Sequence, residues 1–545
     1  MNDDISNPTP EPVSIKVFSD KLSLVLTLPV GSNVRQALDC TELRVRAACG
    51  GLGTCGACLI RVVEGRVNPP SLAERQKIPP DDLARGVRLA CQLRAETGAE
   101  LYIDNPAPPS EWKSLTMPEA FRPTHGNLAL SDYVYGVAVD LGTTHIRLSL
   151  WNRQTARCIA SRYSINPQVA HGADVLTRLD AERLDEEDGL RIGLEARKAL
   201  IEGVRDILSR DMGEVGPILK QVGQVVIVGN TAMLMLVCGD SGESLYRLDN
   251  WQRPIECLVD DVDAWRRAWR MPNAEIKIAQ PIAGFVGSDL LADLFATQLT
   301  EGAFPALLAD FGANTEVALW DGKRVWVTSV PGGPAFEGVG MRNGLTAETG
   351  AICRVRKLEA GWRLDTLCDT PARGYCASGF IDAVALLLEE GQLKPSGRFA
   401  KAQPEGGVFL DPNNWRTAIY GGDIDIFQRA KASFAAAMMQ LFGFAGLALE
   451  QLDTLWICGS FGHYLDLNNA ARVGLLPAID PARVKLAANA SLAGCEKILV
   501  EPGADRALAA ILNKVKVVNL GGVFEYENRF IEHLRLQPLS ALETT

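Results

Sequence analysis

This sequence of 545 residues contains fewer basic than acidic residues. Its 55 lysines and arginines stand against 66 aspartates and glutamates, so the net charge at neutral pH is −11. Binding to a nucleic-acid backbone by bulk charge needs a positive surface, and the composition therefore argues against a nucleic-acid partner. It does not exclude a small phosphate ligand, because one glycine-rich loop can bind a phosphate through its backbone N–H groups.

Long apolar runs are missing too. The most apolar stretch, 433–449, is shorter than the roughly 20 residues of a membrane span, and Gln440 interrupts it. We expect it to be buried within a long helix at 429–452, with a second long helix at 190–210. The start of the chain is acidic and contains several prolines, unlike the basic and then apolar start of a signal peptide. These absences predict a cytoplasmic protein without a membrane partner.

Histidine is scarce, with five residues in the chain, and neither His125 nor His463 has metal-ligating neighbours in the sequence. Cysteine is not scarce, with 13 residues. Disulfide bonds are not expected in a reducing cytoplasm, and most of the scattered cysteines suit a role as small core residues.

Four cysteines form a pattern. The first three have the spacing C-x5-C-x2-C, and the fourth follows 33 positions later (91 − 58): Cys49, Cys55, Cys58 and Cys91. Thiolates bind zinc or iron–sulfur clusters. Zinc sites normally use two separated cysteine or histidine pairs. Three close thiolates in a glycine-rich loop and one distant thiolate therefore favour a [2Fe–2S] cluster, with Cys40 outside the ligand set.

The first hundred residues resemble plant and adrenodoxin-type ferredoxins over about 13–103. Strands are predicted at 13–19, 21–29, 59–63 and 98–104, with a short helix after Ser32. The resemblance implies a β-grasp [2Fe–2S] domain that carries one electron at a time, at a potential near about −400 mV. Residues 1–12 are expected to be a disordered tail.

A proline-rich segment follows at 104–132 and predicts an extended linker. It either tethers the ferredoxin domain passively or lets that domain swing between an electron donor and an acceptor. The sequence leaves both alternatives open.

Two strand–turn–strand segments carry similar polar turns about 170 residues apart. The first contains Asp140-Leu-Gly-Thr-Thr, and the second contains Asp310-Phe-Gly-Ala-Asn-Thr-Glu. A glycine lets the backbone approach a phosphate, hydroxyl and N–H groups can bind that phosphate, and an aspartate at a strand end can hold a hydrated Mg²⁺ ion.

Three further segments complete an ordered set: 225–233, 374–382 and 455–462. The five together resemble the actin, Hsp70 and sugar-kinase superfamily. This resemblance implies a two-lobed α/β ATPase of RNase H-like fold at 133–538, with lobes at about 133–300 and 301–538, and hence an α+β chain overall. It also implies that 374–382 is the second connecting segment between the lobes.

The whole chain after the first dozen residues resembles the ATP-dependent reductive activators of corrinoid proteins. The ferredoxin domain, Asn166-Pro-Gln, and the segments 172–178, 229–233, 281–287, 333–338 and 474–477 carry this resemblance. It implies reduction of an inactive Co(II) corrinoid protein to Co(I), in a cobalamin-dependent methyltransferase system. A [2Fe–2S] cluster, ATP, Mg²⁺, a low-potential electron donor and a homodimer are implied with it.

Residue roles follow from the same resemblance. Phosphates would be bound at two loops, adenosine at a third, and the corrinoid would face Ser329. The nucleotide-binding residues would be Asp140, Gly142, Thr143, Thr144, Gly229, Asn230, Asp310, Gly312, Ala313, Asn314, Thr315, Gly459, Ser460 and Gly462. Asp140 would hold the metal ion, and Asp310 or Glu316 would orient the attacking water, with Asp310 preferred.

The resemblance implies that electron transfer to cobalt is uphill for a ferredoxin, at about 2.3 kcal/mol for each 100 mV of gap, and that ATP is needed for this reason. Three alternatives stay open. One is a small-molecule kinase of the same fold with a fused redox-sensing ferredoxin. Another is an activator of a different low-potential enzyme. The third is a redox scaffold without catalysis, against which the intact Asp140 and Asp310 argue.

Overall fold

The computed structural model describes residues 12–20, 22–39, 41, 43–45, 53, 56, 58–104, 106, 111–115, 133–172, 174–184, 186–212, 215–240, 242–336, 338, 340–348, 350–359, 361–403, 407–459, 462 and 464–539. Cys40, Cys49, Cys55, Ser460 and most of the predicted tail lie outside these residues. So do His125 and His463.

Alternating apolar residues near the start of the chain form a mixed five-stranded sheet. Its elements are β1 (Val13–Phe18), β2 (Ser23–Leu28), α1 (Val34–Asp39), β3 (Leu59–Gly65), α2 (Leu72–Lys77), α3 (Pro80–Ala84), β4 (Val87–Leu89) and β5 (Ala99–Tyr102). The strand order is β2-β1-β5-β3-β4, with β1 parallel to β5 and the other pairs antiparallel. Ile15, Val17 and Leu101 are fully buried beneath it. The predicted β-grasp fold is confirmed.

The rest of the chain builds two larger sheets. The first lobe contains β6 (Lys113–Ser114), β7 (Tyr135–Leu141), β8 (His145–Asn152), β9 (Arg157–Ile165), β10 (Val222–Gly229) and β11 (Glu275–Ile278). The second lobe contains β12 (Ala306–Phe311), β13 (Asn314–Trp320), β14 (Val325–Pro331), β15 (Ala351–Leu358), β16 (Gly361–Thr366), β17 (Gly374–Tyr375), β18 (Gly407–Phe409), β19 (Ala418–Tyr420), β20 (Thr454–Cys458), β21 (Val484–Ala487) and β22 (Val515–Val517).

The two sheets repeat one topology. In order they are β11-β10-β7-β8-β9-β6 and β21-β20-β12-β13-β14-β22. Each has three antiparallel strands in succession, a fourth strand parallel to the first, and a fifth parallel to the fourth. This duplication confirms the predicted two-lobed ATPase fold. The turn between β7 and β8 and the turn between β12 and β13 therefore occupy equivalent positions in the two sheets.

Thirteen helices are described after the first domain. They are α4 (Val175–Leu184), α5 (Glu186–Ile207), α6 (Gly216–Leu219), α7 (Thr231–Cys238), α8 (Val262–Trp269), α9 (Ser288–Thr297), α10 (Gly333–Phe336), α11 (Ala377–Glu389), α12 (Gly421–Ala445), α13 (Leu467–Arg472), α14 (Ala490–Val500), α15 (Ala504–Leu512) and α16 (Phe524–His533).

The two long helices differ from the predicted ranges at their ends. α5 begins four residues before the predicted 190 and continues into a π-helical turn at Leu208–Met212. α12 ends at Ala445 rather than at 452, because Gly446 adopts a left-handed φ of 67° and closes the helix. Phe434 and Phe442 are fully buried, as expected for that apolar run. Among the described residues no helix is long and apolar enough to cross a membrane.

Helices α9 and α14 lie between the two sheets. Gly494 of α14 packs so closely that a side chain there would come within 2.1 Å of the Ala292 carbonyl oxygen of α9. The thiol of Cys495 donates to the carbonyl oxygens of Val139 and Val226, both at 3.4 Å, which holds α14 against the first sheet. The core formed here joins side chains of both lobes.

The segment 374–382 does not connect the lobes, and this expectation is wrong. It leads into α11, whose Phe380 and Ile381 belong to the core of the second lobe. Asp382 accepts hydrogen bonds from Val355 N at 3.1 Å and Asn469 Nδ2 at 2.7 Å. These bonds stay within that lobe, so α11 stabilises it internally, and the position between the lobes belongs to α9 and α14.

The predicted linker contains a described stretch that packs on the first lobe. β6 pairs antiparallel with β9, and Trp112, which is 5% exposed, lies in the first-lobe core beside Gly203. The limits of the domains stay predictions, but this stretch is anchored.

Glu74 organises the side of the first domain that carries Cys91. It is fully buried and accepts from Arg88 Nε at 2.8 Å, Arg88 Nη2 at 2.9 Å, Leu89 N at 3.0 Å and Ser71 N at 2.8 Å. Burial alone would raise the pKa of Glu74, but these hydrogen bonds outweigh it and the pKa lies below its usual 4.5.

We predict that Glu74→Gln destabilises the first domain by about 3 kcal/mol, because it leaves a buried guanidinium without its counter-charge. The visible absorbance of the iron–sulfur cluster, followed during urea denaturation, measures this as a lower midpoint. Glu100→Gln removes an exposed partner of Lys16 and should cost less than about 1 kcal/mol. Equal midpoints for the two variants would contradict the stabilising role of the buried Glu74 carboxylate.

Candidate functional site

The turn between β7 and β8 is held in a fixed shape. Gly142 N donates to His145 O at 3.1 Å, and a side chain at Gly142 would come within 2.7 Å of that oxygen. Asn166 supports the turn from behind by donating from Nδ2 to Gly142 O at 2.9 Å. Only glycine fits at position 142, so the closed shape of this turn depends on it.

The turn between β12 and β13 repeats this arrangement. Gly312 N donates to Asn314 O at 3.2 Å. Asp310 and Glu316 are directly paired across the two strands, as Asp140 and Arg147 are in the first lobe. Paired residues of adjacent strands point to the same face of a sheet, so each hairpin presents two charged side chains together.

The two turns face each other across a cleft between the lobes. Asn230, the N-terminal cap of α7, and Gly459, after β20, complete its walls. The sequence-predicted residues that line the cleft are Asp140, Gly142, Thr143, Thr144, Asn230, Asp310, Gly312, Ala313, Asn314, Glu316 and Gly459. The fold therefore brings most of the predicted nucleotide residues to one place.

Three predicted residues are not in the cleft wall. Thr315 is fully buried, because it points to the opposite face of β13 from Asn314 and Glu316. Gly229 packs against the carbonyl oxygen of Leu141, where a side chain would approach to 2.5 Å. Gly462 packs against Ile457 and Leu486. For these three, the structure shows packing roles, and Ser460 lies outside the described residues.

Several cleft residues were missed by the sequence reasoning. Asp289 lies in the first turn of α9, while Asn489 and Ser491 lie at the start of α14, and His145 and Arg147 come from β8. The run Gly287-Ser288-Asp289 before an apolar helix was the one available signal. A side chain at Gly287 would clash with Asp289 at 2.2 Å and with the Gly229 carbonyl oxygen at 2.5 Å.

Like charges are concentrated in this cleft. Burial raises the pKa of Asp289 to about 7, and the nearby Asp140 and Asp310 contribute to that shift. Burial, Asp289 and Asp310 also raise the pKa of Glu316 well above its usual value. Asp140 is 4% exposed; burial raises its pKa, while Arg147 at 3.1 Å opposes the shift. The cleft therefore favours a bound cation.

The acids of the cleft suit a hydrated Mg²⁺ ion. Among the described residues no three carboxylate, histidine or cysteine side chains are arranged to bind one metal ion directly. Mg²⁺ usually keeps several water ligands and takes few from the protein. Glu316 lies beside Asp289 and Asp310 at this position, so its buried carboxyl group can take part in binding such a water.

The two described cluster cysteines lie next to each other. The thiols of Cys58 and Cys91 share a hydrogen bond, which lowers the pKa of Cys91 to about 6 and raises that of Cys58. The backbone N–H of Gly53 and the side chain of Gln92 also donate to Cys91. Sulfurs in contact, with N–H donors aimed at them, fit an iron–sulfur cluster. Cys49 and Cys55 lie outside the described residues.

Ser329 borders a separate, largely apolar cavity of about 540 Å³. Trp251 and Phe285 of the first lobe form one wall, with their rings 4.8 Å apart. Tyr526 and Phe530 of α16 form another. Ser329 is directly paired with Glu316 across β13 and β14. This strand pair therefore carries Glu316, which lines the cleft, and Ser329, which borders the cavity.

Three family models match the chain in succession. A 2Fe-2S iron-sulfur cluster binding domain matches 19–96, the RACo middle region matches 135–302, and the C-terminal domain of RACo, the ASKHA domain, matches 305–543. Their order is the one predicted from the sequence.

Relatives agree with these matches. The corrinoid activation enzyme RamQ of Eubacterium limosum is 28% identical over 413 residues, which cover 70% of this chain and 68% of the relative. The [Co(II) methylated amine-specific corrinoid protein] reductase of Methanosarcina barkeri is 27% identical over 401 residues, covering 68% and 70%. A solved reductive activator for corrinoid, iron-sulfur protein shares the fold, with a TM-score of 0.64, 22% identity, and coverage of 96% and 98%.

We predict that Asp289→Asn stabilises the nucleotide-free protein and weakens Mg-ATP binding. Removal of one like charge relieves repulsion in the free cleft, which should raise stability by about 1 kcal/mol, as for other substitutions of strained functional groups. The same change removes an anion that attracts Mg²⁺, so the Kd for Mg-ATP should rise roughly tenfold. Thermal unfolding and calorimetric titration measure the two effects.

Asp425→Asn is the matched control, because it removes the same charge from the exposed surface of α12. It should change neither quantity. A lower melting temperature for Asp289→Asn, or unchanged Mg-ATP binding, would contradict the electrostatic account of the cleft.

Proposed function

We propose that this chain, which has the domain architecture of the reductive activators of corrinoid proteins, uses ATP to reduce a Co(II) corrinoid protein to Co(I). One observation carries the proposal: an iron–sulfur domain is fused to an ATPase whose two phosphate hairpins meet over an acidic cleft. The product would reactivate a cobalamin-dependent methyltransferase system.

The names of the relatives support the same substrate class. One is a corrinoid activation enzyme, and the other is a reductase of a Co(II) corrinoid protein specific for methylated amines. We propose that a corrinoid protein is also the partner of this chain. A low-potential electron donor and a homodimer belong to the proposal as well.

The iron–sulfur site would be formed by Cys49, Cys55, Cys58 and Cys91. When bound, a [2Fe–2S] cluster supplies one electron at a time. The chain contributes the N–H of Gly53 beside the Cys91 sulfur, which stabilises negative charge on that thiolate.

The cleft would bind Mg-ATP between the lobes. Gly142, Thr143 and Thr144 face the phosphates from one hairpin, and the turn at 312–314 faces them from the other. Gly459 borders the cleft with a left-handed φ of 81°, and a side chain there would lie 3.0 Å from Asp310 Oδ1, so glycine suits this wall. Mg²⁺ beside Asp140 would neutralise phosphate charge.

Asp310 is the better candidate for orienting the attacking water. A general base has to be ionised, and burial together with Asp289 and Asp310 raises the pKa of Glu316 well above its usual value. Glu316 is also engaged, because Gly287 N donates to its Oε1 at 3.3 Å. These contacts suit Glu316 to sensing the nucleotide rather than to proton transfer.

The contacts of Glu316 offer a path from the cleft to the cavity at Ser329. Val286 borders the cavity, Asp289 borders the cleft, and Gly287 between them bonds to Glu316. A cation or nucleotide that changes the position of Glu316 would therefore move both Gly287 and the strand pair that carries Ser329. We propose that the cavity receives the corrinoid side of the partner, with Ser329 facing it.

The test is an anaerobic assay with a Co(II) corrinoid protein, a low-potential reductant and Mg-ATP, followed by the visible absorbance of Co(I). Co(I) should appear only with ATP. Asp140→Asn should lower the rate about 100-fold, because it removes the group that positions the metal ion at the phosphates. Ser329→Ala should slow Co(I) formation while Mg-ATP still binds.

Asp425→Asn again serves as the matched charge control and should retain the wild-type rate. Release of inorganic phosphate is measured in parallel. Phosphate transfer to a small molecule, with cobalt unchanged, would replace the proposal with the kinase alternative. Co(I) formation at the same rate without ATP would contradict it.

A further inference from the structure

The two hairpins of the cleft have the same register but carry opposite charges at one position. Asp140 is directly paired with Arg147 across β7 and β8. Asp310 is paired in the same way with Glu316 across β12 and β13. All four residues line the cleft. The duplicated fold thus provides two equivalent positions, and the first lobe has a guanidinium where the second lobe has a carboxyl group.

A nucleotide in this cleft needs a positive side chain. A nucleoside triphosphate keeps a net negative charge even beside a Mg²⁺ ion. The carboxyl groups of the cleft would repel it without a compensating cation from the protein. Among the cleft residues that the structure describes, the basic side chains are those of His145 and Arg147.

His145 does not supply this charge. Burial, with a contribution from Arg147, lowers the pKa of His145 to about 4, so its imidazole is neutral at physiological pH. An arginine stays protonated in proteins. Arg147 is therefore the described cleft residue that carries a full positive charge.

The guanidinium of Arg147 lies between Asp140 and the turn that follows it. Arg147 Nη1 donates to Asp140 Oδ2 at 3.1 Å. The same nitrogen lies 3.9 Å from the point at which a side chain on Gly142 would begin. The Arg147 side chain is 20% exposed, against 6% for that of Asp140. The arginine thus reaches from a buried carboxylate to the open part of the cleft.

Most donors of Arg147 are not used within the described part of the protein. A guanidinium has five N–H donors in a planar fork, which matches the oxygens of a phosphate. Asp140 is its one hydrogen-bond acceptor among the described residues. The other donors can bond to a ligand in the cleft without a change in the backbone of β8.

Asp140 orients this arginine while the cleft is empty. It lies on the adjacent strand, is 4% exposed and holds the guanidinium beside the turn. Asp140 is also the residue assigned to the metal ion. When its carboxylate shares its charge with a cation, its bond to Arg147 weakens, and phosphate oxygens can then compensate the guanidinium.

We propose that Arg147 is a phosphate-binding residue, which bonds to the phosphate chain of the nucleotide beside the turn at Gly142. Its ligand is a metal-bound nucleoside polyphosphate, so the inference rests on the proposed function. It adds to that function an anion-binding side chain that only the first of the two equivalent hairpins carries.

Calorimetric titration of the cluster-loaded full chain with Mg-ATP tests this role. Arg147→Gln should raise the Kd for Mg-ATP about tenfold or more, because a charge-assisted hydrogen bond to phosphate is lost. Arg147→Lys should recover part of the affinity, since it keeps the charge but not the planar fork. Melting temperature and cluster absorbance show that each variant is folded.

Binding of Mn²⁺ without nucleotide separates a phosphate ligand from a residue that only supports Asp140. Arg147→Gln removes a positive charge beside Asp140, so electron paramagnetic resonance should show Mn²⁺ bound no more weakly than by the wild type. Arg157→Gln is the matched control, because it removes an exposed arginine from the neighbouring strand β9. It should bind Mg-ATP and Mn²⁺ as the wild type does.

If Arg147→Gln does not fold, Arg147→Lys carries the test, because it keeps a counter-charge for Asp140. It should still raise the Kd for Mg-ATP about fivefold through loss of the paired donors.

Two results would overturn the inference while the wild type binds Mg-ATP. One is a folded Arg147→Gln variant, or in its place a folded Arg147→Lys variant, with a Kd for Mg-ATP within about twofold of the wild type. The other is an equal loss of Mn²⁺ and Mg-ATP binding. Neither involves a corrinoid protein. A wild-type protein that binds no Mg-ATP would contradict the proposed function, and this inference with it.

Discussion

Repulsion between buried carboxylates sets the condition under which the two lobes can approach each other. The duplicated fold brings Asp140 and Asp310 to the same cleft from equivalent strands, and α9 adds Asp289. Like charges in a buried cleft need protons or a cation to be stable there. In the proposed function, a nucleotide with a Mg²⁺ ion would supply that compensation, and its binding free energy would then act on the contact between the lobes.

The charges of the cleft also affect the apolar cavity at Ser329, because few contacts separate the cleft from that cavity. Glu316 faces the cleft, bonds to Gly287 and is paired across the strands with Ser329. A change of charge in the cleft therefore acts, through Glu316, on β14, the strand that borders the apolar cavity. The iron–sulfur domain lies elsewhere, docked by Arg35 and Arg44 on the far end of α5. Nucleotide binding and electron delivery are thus placed on separate parts of one chain.

The sequence predicted what depends on neighbours along the chain. The two hairpins, with Asp140 and Asp310 at their turns, could be located because turn glycines and strand patterns are local signals. The four cluster cysteines stay a prediction from their spacing. Thr315 was predicted to belong to the second phosphate loop, but it is fully buried, because alternation along β13 turns it away from Asn314 and Glu316. Asp289, Ser491 and the Arg35–Asp211 pair were missed, because residues far apart in sequence meet there only after α9, α14 and the first domain have packed.

The most direct test of the central claim is a single-turnover mixing experiment. The protein, with its cluster reduced by one electron and excess reductant removed, is mixed with a Co(II) corrinoid protein and Mg-ATP while both chromophores are recorded. The account predicts that cluster oxidation and Co(I) formation proceed at the same rate, one for one, and only with ATP. Cluster oxidation without Co(I), or an equal yield of Co(I) when ATP is omitted, would contradict it.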